Sequence, residues 1–271
     1  MVSMNTLKLN TSLLQAWISN MDTTIDWHAR AKALKIDGRA LVNGKRVNAA
    51  DETTFEYFSP IDNRKLADIA RCKYADVDLA VSAARAGFNE RRWAGLSPRE
   101  RKQIMIKFAD LILANREELA LLETLDMGKP ITTSLNVDVN SAANTIRWFG
   151  EAIDKVYDEI APTADHTLAM ITREPIGIVA AIVPWNYPIA MAAWKIAPAL
   201  AVGNSVVLKP SEKSPLTALR LGDLALQAGM PAGVLNVLTG FGAEAGSPLA
   251  LHMDVDCIAF TGSTAVGKKY K

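Results

Sequence analysis

The sequence predicts an α/β fold built on a parallel sheet with helices on both faces, and the signal is clearest from about residue 176 onward. Three observations carry it. Short apolar runs alternate with stretches of helical spacing, the order that builds strand–crossover–strand units. Ile176 to Val183 is continuously apolar, as a strand covered on both faces must be. Each apolar run is followed by a cluster of polar residues and turn formers, at the sheet edge where such folds bind ligands.

Taken in order, residues 1–40 read as a peripheral segment, weakly helical from Trp27 to Leu34. Residues 41–157 read as a mainly helical part. Ser97-Pro98-Arg99-Glu100 is a capping box with proline at the first helical position, and Ile104, Phe108, Leu111 and Ile112 follow at helical spacing. Asn115 with Glu118 repeats the capping pattern ahead of Leu119, Leu122 and Leu125, and Gly128 then Pro130 stop that helix. A third helix is expected from Val139 to Tyr157 on Ile146, Phe149, Ile153 and Val156. Residues 158–175 form an arm in which Thr167 to Glu174 is extended. In 176–271 strands are expected at Ile176 to Val183, Ser205 to Leu208, Val234 to Leu238 and Cys257 to Phe260. Helices are expected at Ile189 to Ala201, Pro215 to Ala228 and Ala243 to Leu251.

Composition narrows the function classes. The chain has 271 residues, 49% hydrophobic and 22% charged, which excludes a disordered or collagenous chain. Its 30 Lys+Arg against 29 Asp+Glu leave a net charge of +1, so no strong field draws nucleic acid or an anionic membrane. Basic pairs such as Lys45-Arg46 and Arg91-Arg92 read as solvated faces. The apolar stretch from Ile176 to Ala201 is interrupted by Pro184, Pro188 and Pro198 and contains Lys195, so it reads as a strand and a helix, not a membrane span. Cys72 and Cys257 have no partner at metal or redox spacing, and with no secretory signal they read as reduced thiols of a cytoplasmic protein.

Four strand ends carry chemistry. After the first, Pro184-Trp185-Asn186-Tyr187-Pro188 holds one amide between two aromatics in a proline-bounded loop, and an amide can steady a developing oxyanion without changing charge. After the second, Lys209-Pro210-Ser211-Glu212 sets opposite charges where ribose hydroxyls bind in dinucleotide folds. After the third come Gly240-Phe241-Gly242 and Gly246, whose spacing is not the G-x-G-x-x-G fingerprint. After the fourth, Thr261-Gly262-Ser263-Thr264 enters a helix, a place that accepts either a cap or a pyrophosphate. Each has an ordinary explanation: a turn asparagine, a surface ion pair, backbone geometry, a helix cap. Their conjunction on one sheet edge favours a dinucleotide site. Cys257 reads as a core thiol and Cys72, beside Arg71 and Lys73, as a thiol whose pKa the two cations could lower. His28, His166 and His252 are too scattered for a metal or triad.

These motifs, Pro-Trp-Asn-Tyr-Pro, Lys-Pro-Ser-Glu, Gly-Phe-Gly and Phe-Thr-Gly-Ser-Thr in this order, resemble the aldehyde dehydrogenase superfamily from about Leu41 to Tyr270. The runs Glu123 to Pro130, Ile146 to Phe149 and Ala152 to Tyr157 are most similar to γ-glutamyl-γ-aminobutyraldehyde dehydrogenases of putrescine breakdown. The resemblance implies a Rossmann-type sheet that binds NAD in preference to NADP and acts on a small-molecule aldehyde in a homo-oligomer. It implies Asn186 as the oxyanion amide, and Lys209, Ser211 and Glu212 around the adenosine ribose. Ser263 would meet the pyrophosphate, with Ile182, Trp185, Gly242, Phe260 and Gly262 lining the cofactor groove. Tyr187, Met191 and Trp194 would line the aldehyde tunnel, and the arm near 158–174 would join an oligomerisation sheet.

One departure from the family pattern is large. The segments Glu-Leu-Gly-Gly-Lys and Gly-Gln-x-Cys, which carry the family's general base and nucleophile, do not occur among these 271 residues. The sequence is therefore expected to be an inactive piece of such an enzyme, truncated before the catalytic domain. The alternative is a stand-alone nucleotide-binding or regulatory module that pairs with a full-length relative, and reading the DNA downstream of Lys271 separates the two.

Overall fold

Side-chain type decides where the central strands fall. Ile178–Ile182 (β7), Ser205–Lys209 (β8), Leu235–Val237 (β9) and Cys257–Phe260 (β10) draw mainly on β-branched and small apolar residues, which pack well on a pleated surface covered from both sides. Every residue of β7 and β8 is buried, while those of β10 are half-buried. The computed structural model of the chain describes residues 25–270. It pairs β7 in parallel with β8 on one side and β10 on the other, and β8 in parallel with β9. The chain thus steps from β7 to β8 to β9 and returns to the far side of β7 for β10. This reversal of direction opens a crevice at the carboxyl ends of β7 and β10.

Two strands from early in the chain extend the sheet. Ala40–Val42 (β1) and Lys45–Val47 (β2) form a hairpin, and β1 adds antiparallel to β9, giving the order β10-β7-β8-β9-β1-β2. The turn is Asn43-Gly44, with φ 50° and 74°, the left-handed pair that a two-residue hairpin requires. Thr54–Phe58 (β3) with Lys65–Ala70 (β4), and Glu159–Ala161 (β5) with Ala169–Ile171 (β6), make separate hairpins.

Helices cover both faces. Tyr74–Asn89 (α2) buries Val77, Ala80, Val81 and Ala84 against Ile178, Ala180 and Val207. On the other face Pro98–Ala114 (α3), Val139–Ala152 (α6), Pro188–Ala201 (α7) and Leu216–Ala228 (α8) pack against Val179, Ala181, Val206 and Leu208. Alternate residues of one strand therefore feed two cores, as a two-sided sheet demands. Arg116–Met127 (α4) lies beside α8 and ends at Gly128, whose φ of 77° gives the left-handed C-cap. The capping box at Ser97 forms as expected: Ser97 Oγ accepts from Glu100 N at 3.3 Å and Ser97 N donates to Glu100 Oε2 at 2.8 Å. Two short helices, Ile131–Thr133 (α5) and Ser247–Ala250 (α9), adjoin π-helical turns at Ser134–Asp138 and Gly242–Gly246, and Thr264–Gly267 (α10) follows β10. Ile36–Lys271 forms one compact unit, and Trp27–Ala33 (α1) belongs to the other, Met1–Lys35. Of the peripheral segment 1–40, residues 1–24 lie outside the described residues.

Several expectations need correction. Asn115 does not cap the start of α4 with its side chain; its Nδ2 donates back to Leu111 O in the last turn of α3, and Glu118 takes Arg220 at 2.9 Å. The third helix stops at Ala152 and tightens into a 3-10 turn over Ile153–Lys155, leaving Val156 and Tyr157 exposed. The extended stretch expected over Thr167 to Glu174 pairs only at Ala169–Ile171. Arg46 is no solvated charge: it grips Asp223 through two nitrogens and donates to Leu219 O, bolting the β1–β2 hairpin to α8. Cys72 is fully buried beside Thr239, and burial pushes its thiol up to about 11, opposite to the lowering suggested by its cationic neighbours. Cys257 is half-buried on the edge strand β10, where it packs against the larger core.

A candidate dinucleotide groove and oxyanion loop

Register places the site. Ile182 pairs with Lys209 on one side and with Phe260 on the other, so the last residues of β8, β7 and β10 stand in one row at the carboxyl edge. The loops that follow wall a groove of about 540 Å³. Ile182, Trp185, Asn186, Lys209, Ser211, Glu212, Gly242, Phe260, Gly262 and Ser263 all line it. Every cofactor-site residue singled out in the sequence is therefore brought to one cavity, together with the amide.

Each position has a local reason. Lys209 is a β-strand residue whose side chain is 3% exposed, and its Nζ reaches Glu212 Oε2 at 3.5 Å. Burial pushes the ammonium below its usual range, and the Glu212 carboxylate opposes that shift. Glu212 itself stays open to the groove. A Cβ on Gly262 would fall 2.4 Å from Phe260 Cζ, so with glycine the chain crosses close to the ring without displacing it. A Cβ on Gly242 would meet nothing within 4 Å, which leaves its backbone open to approach by a ligand. Ser263 Oγ accepts from Val266 N at 3.3 Å, so the hydroxyl caps α10 as well as facing the groove.

Asn186 sits between exposed Trp185 and Tyr187 in a loop held by Pro184 and by Pro188, the first residue of α7. Tyr187 O accepts from Met191 N at 2.8 Å, and Lys129 Nζ lies 4.7 Å from the Tyr187 ring centroid. The three residues expected along an aldehyde tunnel have different surroundings. Trp194 lines a groove of about 820 Å³ with Asn136, Asn140, Asn144 and Trp148. Met191 is half-buried against the larger core, and Tyr187 is exposed beside Lys129.

Sequence reasoning missed part of this site. Val266 and Tyr270 also line the groove, and the Tyr270 ring meets Phe260 edge-on at 5.4 Å. It missed, too, a buried ionic cluster behind the loops. Glu123 is fully buried on α4, and Asp126 one turn on accepts from Tyr57 Oη at 2.7 Å and from Leu216 N at 3.1 Å. Burial drives the Asp126 carboxyl well above its usual range, although the Tyr57 hydroxyl and the α8 amides pull the other way. The available signal was spacing: Glu123 and Asp126 fall four residues after Leu119 and Leu122, on the face those leucines bury.

A parallel sheet sandwiched by helices, with a groove at its carboxyl edge where strand order reverses, defines an α/β protein of Rossmann type. The chain belongs to the aldehyde dehydrogenase family, whose model matches residues 47–271. Among curated relatives, the NADP/NAD-dependent aldehyde dehydrogenase PuuC of Escherichia coli is 57% identical over 90% of this chain and 49% of its own length. A solved γ-glutamyl-γ-aminobutyraldehyde dehydrogenase from Burkholderia cenocepacia superposes with TM-score 0.89 at 58% identity, over 90% of this chain and 50% of that one. The AldA indole-3-acetaldehyde dehydrogenase of P. syringae, solved with NAD+ and IAA, gives TM-score 0.90 at 57% identity over the same shares. The chain thus spans about half the length of the relatives it matches. Among the described residues no helix is long and apolar enough to cross a membrane.

Proposed function

We propose that this chain supplies the cofactor groove and the oxyanion amide of an enzyme that oxidises an aldehyde, most suitably an amino-aldehyde, to the carboxylic acid with NAD. The observation that carries this reading is the convergence of Asn186 with the row Ile182, Lys209 and Phe260 in one groove. The donor set suits a dinucleotide: a half-exposed carboxylate and a buried ammonium for ribose hydroxyls, an open glycine backbone, and a hydroxyl for the pyrophosphate. NAD, when bound, supplies the hydride acceptor.

In this reading Lys209, Ser211 and Glu212 hold the ribose, Ser263 contacts the pyrophosphate, and Trp185, Gly242, Gly262, Ile182 and Phe260 shape the walls. The Asn186 amide donates to the oxygen that gains charge when a thiolate attacks the aldehyde carbon. Neither Cys72, buried with its thiol pushed up to about 11, nor Cys257 on strand β10 suits that attack, so the nucleophile and the general base come from other residues. Tyr187, Met191 and Trp194 belong to the aldehyde's approach. Residues 176–271 form the dinucleotide unit and 158–175 the arm. The arm's exposed Ile160, Leu168, Met170 and Ile171 suit pairing with a second copy. The unpaired thiols suit a cytoplasmic enzyme. The test is NADH formation from a panel of amino-aldehydes by the protein with its full chain, beside Lys209→Ala. Turnover with the aldehydes, and a raised KM for NAD in the variant, are expected. Oxidation that proceeds with an unaltered KM for NAD in Lys209→Ala removes the groove from the account.

A further inference from the structure

A cluster of buried charged side chains lies behind the loop that carries Asn186. Glu123 is fully buried, and the side chains of Lys129 and Asp138 are 10% and 3% exposed. Burying such groups is unfavourable unless each is paired or hydrogen-bonded. Glu123 Oε2 accepts from Ile189 N at 3.2 Å and from Thr217 Oγ1 at 3.3 Å. Its other oxygen has no hydrogen-bond partner and faces Lys129 Nζ at 3.8 Å. Lys129 is held in turn by Asp138 Oδ2 at 2.6 Å and lies over the Tyr187 ring.

These contacts fall just after Asn186, where its loop enters α7. Ile189 supplies the first backbone donor of α7, because Pro188 before it has no N–H. Tyr187 and Ile189 are thus both gripped by the cluster, whereas the Asn186 amide makes no hydrogen bond among the described residues. A carboxylate at a helix N-terminus is favoured by the helix dipole and satisfies a free donor at once. Helix α8 does not depend on Glu123 in the same way. Asp126 Oδ2 accepts from Leu216 N at 3.1 Å and Thr217 N at 3.4 Å, so the loop carrying Glu212 has its own anchor.

We propose that Glu123, backed by Lys129 and Asp138, is a positioning residue that fixes the Asn186 amide by holding the first turn of α7. The inference rests on Asn186 as the oxyanion donor. The test is hydrogen exchange over residues 185–191 together with a cycle of Glu123→Ala, Asn186→Ala and the double variant, in the protein with its full chain. Glu123→Ala should speed exchange in that peptide and lower kcat about tenfold or more, with KM for NAD within about twofold. In the Asn186→Ala background the same change should cost less than about twofold, because the group being positioned is gone. Should Glu123→Ala not fold, Glu123→Met fills the same space without an acceptor for Ile189 N and completes the same cycle, while Glu123→Gln, which keeps that acceptor, should retain most of the turnover. Losses that simply multiply, or unchanged exchange over 185–191, overturn the positioning role. Full turnover in Asn186→Ala alone overturns the oxyanion reading instead.

Discussion

Replacing Glu212 with Gln should shift cofactor preference by an amount that can be worked from the groove. The Glu212 side chain is 31% exposed and Lys209 Nζ stands 3.5 Å from it. If the carboxylate accepts a ribose 2′-hydroxyl, a 2′-phosphate in that place would lie about 4 Å away, which at water's dielectric means ~1 kcal/mol of repulsion per charge pair and at an effective dielectric near 20 means ~4. Partial exposure places Glu212 between these limits, and Lys209 attracts the phosphate and offsets part of the repulsion. The remainder is about 1–3 kcal/mol, or roughly 5- to 150-fold in kcat/KM in favour of NAD. Glu212→Gln keeps a hydrogen-bonding side chain but removes the charge, so the NAD:NADP ratio should fall by that factor, chiefly through a better NADP value. The assay is initial rate against each cofactor at saturating aldehyde and low salt, repeated at high salt where the gap should shrink. Equal efficiency with both cofactors in the unsubstituted protein, or an unmoved ratio in the variant, refutes the reasoning.

Asn186→Ala in the full chain should lower turnover roughly 10²- to 10³-fold with little change in NAD binding, and a loss that tracks cofactor affinity or melting temperature instead would make Asn186 a structural residue. The 271-residue chain by itself should form no NADH from amino-aldehydes, and any turnover that vanishes in Cys257→Ser would identify a working thiol on β10. Burial pushes the Glu123 carboxyl up to about 7, with Lys129 opposing. The folded state therefore keeps a proton that the unfolded chain releases near the ordinary carboxylate value, and this contribution to stability is lost as pH rises through about 7. Over that window the unsubstituted protein should lose up to ~3 kcal/mol relative to Glu123→Gln in urea unfolding, and parallel pH profiles would contradict it. Phe108 on α3 is fully buried, so Phe108→Ala should cost about 3–5 kcal/mol, read in the same unfolding assay.

The sheet was legible because its strands advertise burial. The continuous apolar run at β7 and the turn formers at each strand end fixed both the elements and the residues at the groove, since period and punctuation are local properties. What needed three dimensions was anything decided by a distant partner. The Asn43-Gly44 hairpin lies in a stretch that reads as mainly helical, and only the structure joins β1 to β9, nearly 200 positions later in the chain. Arg46 reads as a surface cation until Asp223 is placed against it, and Cys72 as an activated thiol until Thr239 covers it. Glu123 and Asp126 look like solvated helix residues by type, and only their spacing with Leu119 and Leu122 hints that they turn inward. The helix ending at Ala152 shows the same limit: Val156 continues the apolar period, but no neighbour is there to bury it.

Phe260 at the end of β10, with Gly262 and Ser263 beyond it, forms one jaw of the groove, while Lys209 and Glu212 after β8 form the other. A ligand lying across β7 touches both jaws, so local opening of β10 and release of the ligand are linked equilibria. On the proposed function, NAD at a hundred times its dissociation constant would stabilise the closed groove by ~2.7 kcal/mol, and a groove that is open part of the time weakens apparent affinity by the closed fraction. Susceptibility to proteolysis between residues 251 and 263 thus becomes a gauge of nucleotide occupancy, independent of any turnover.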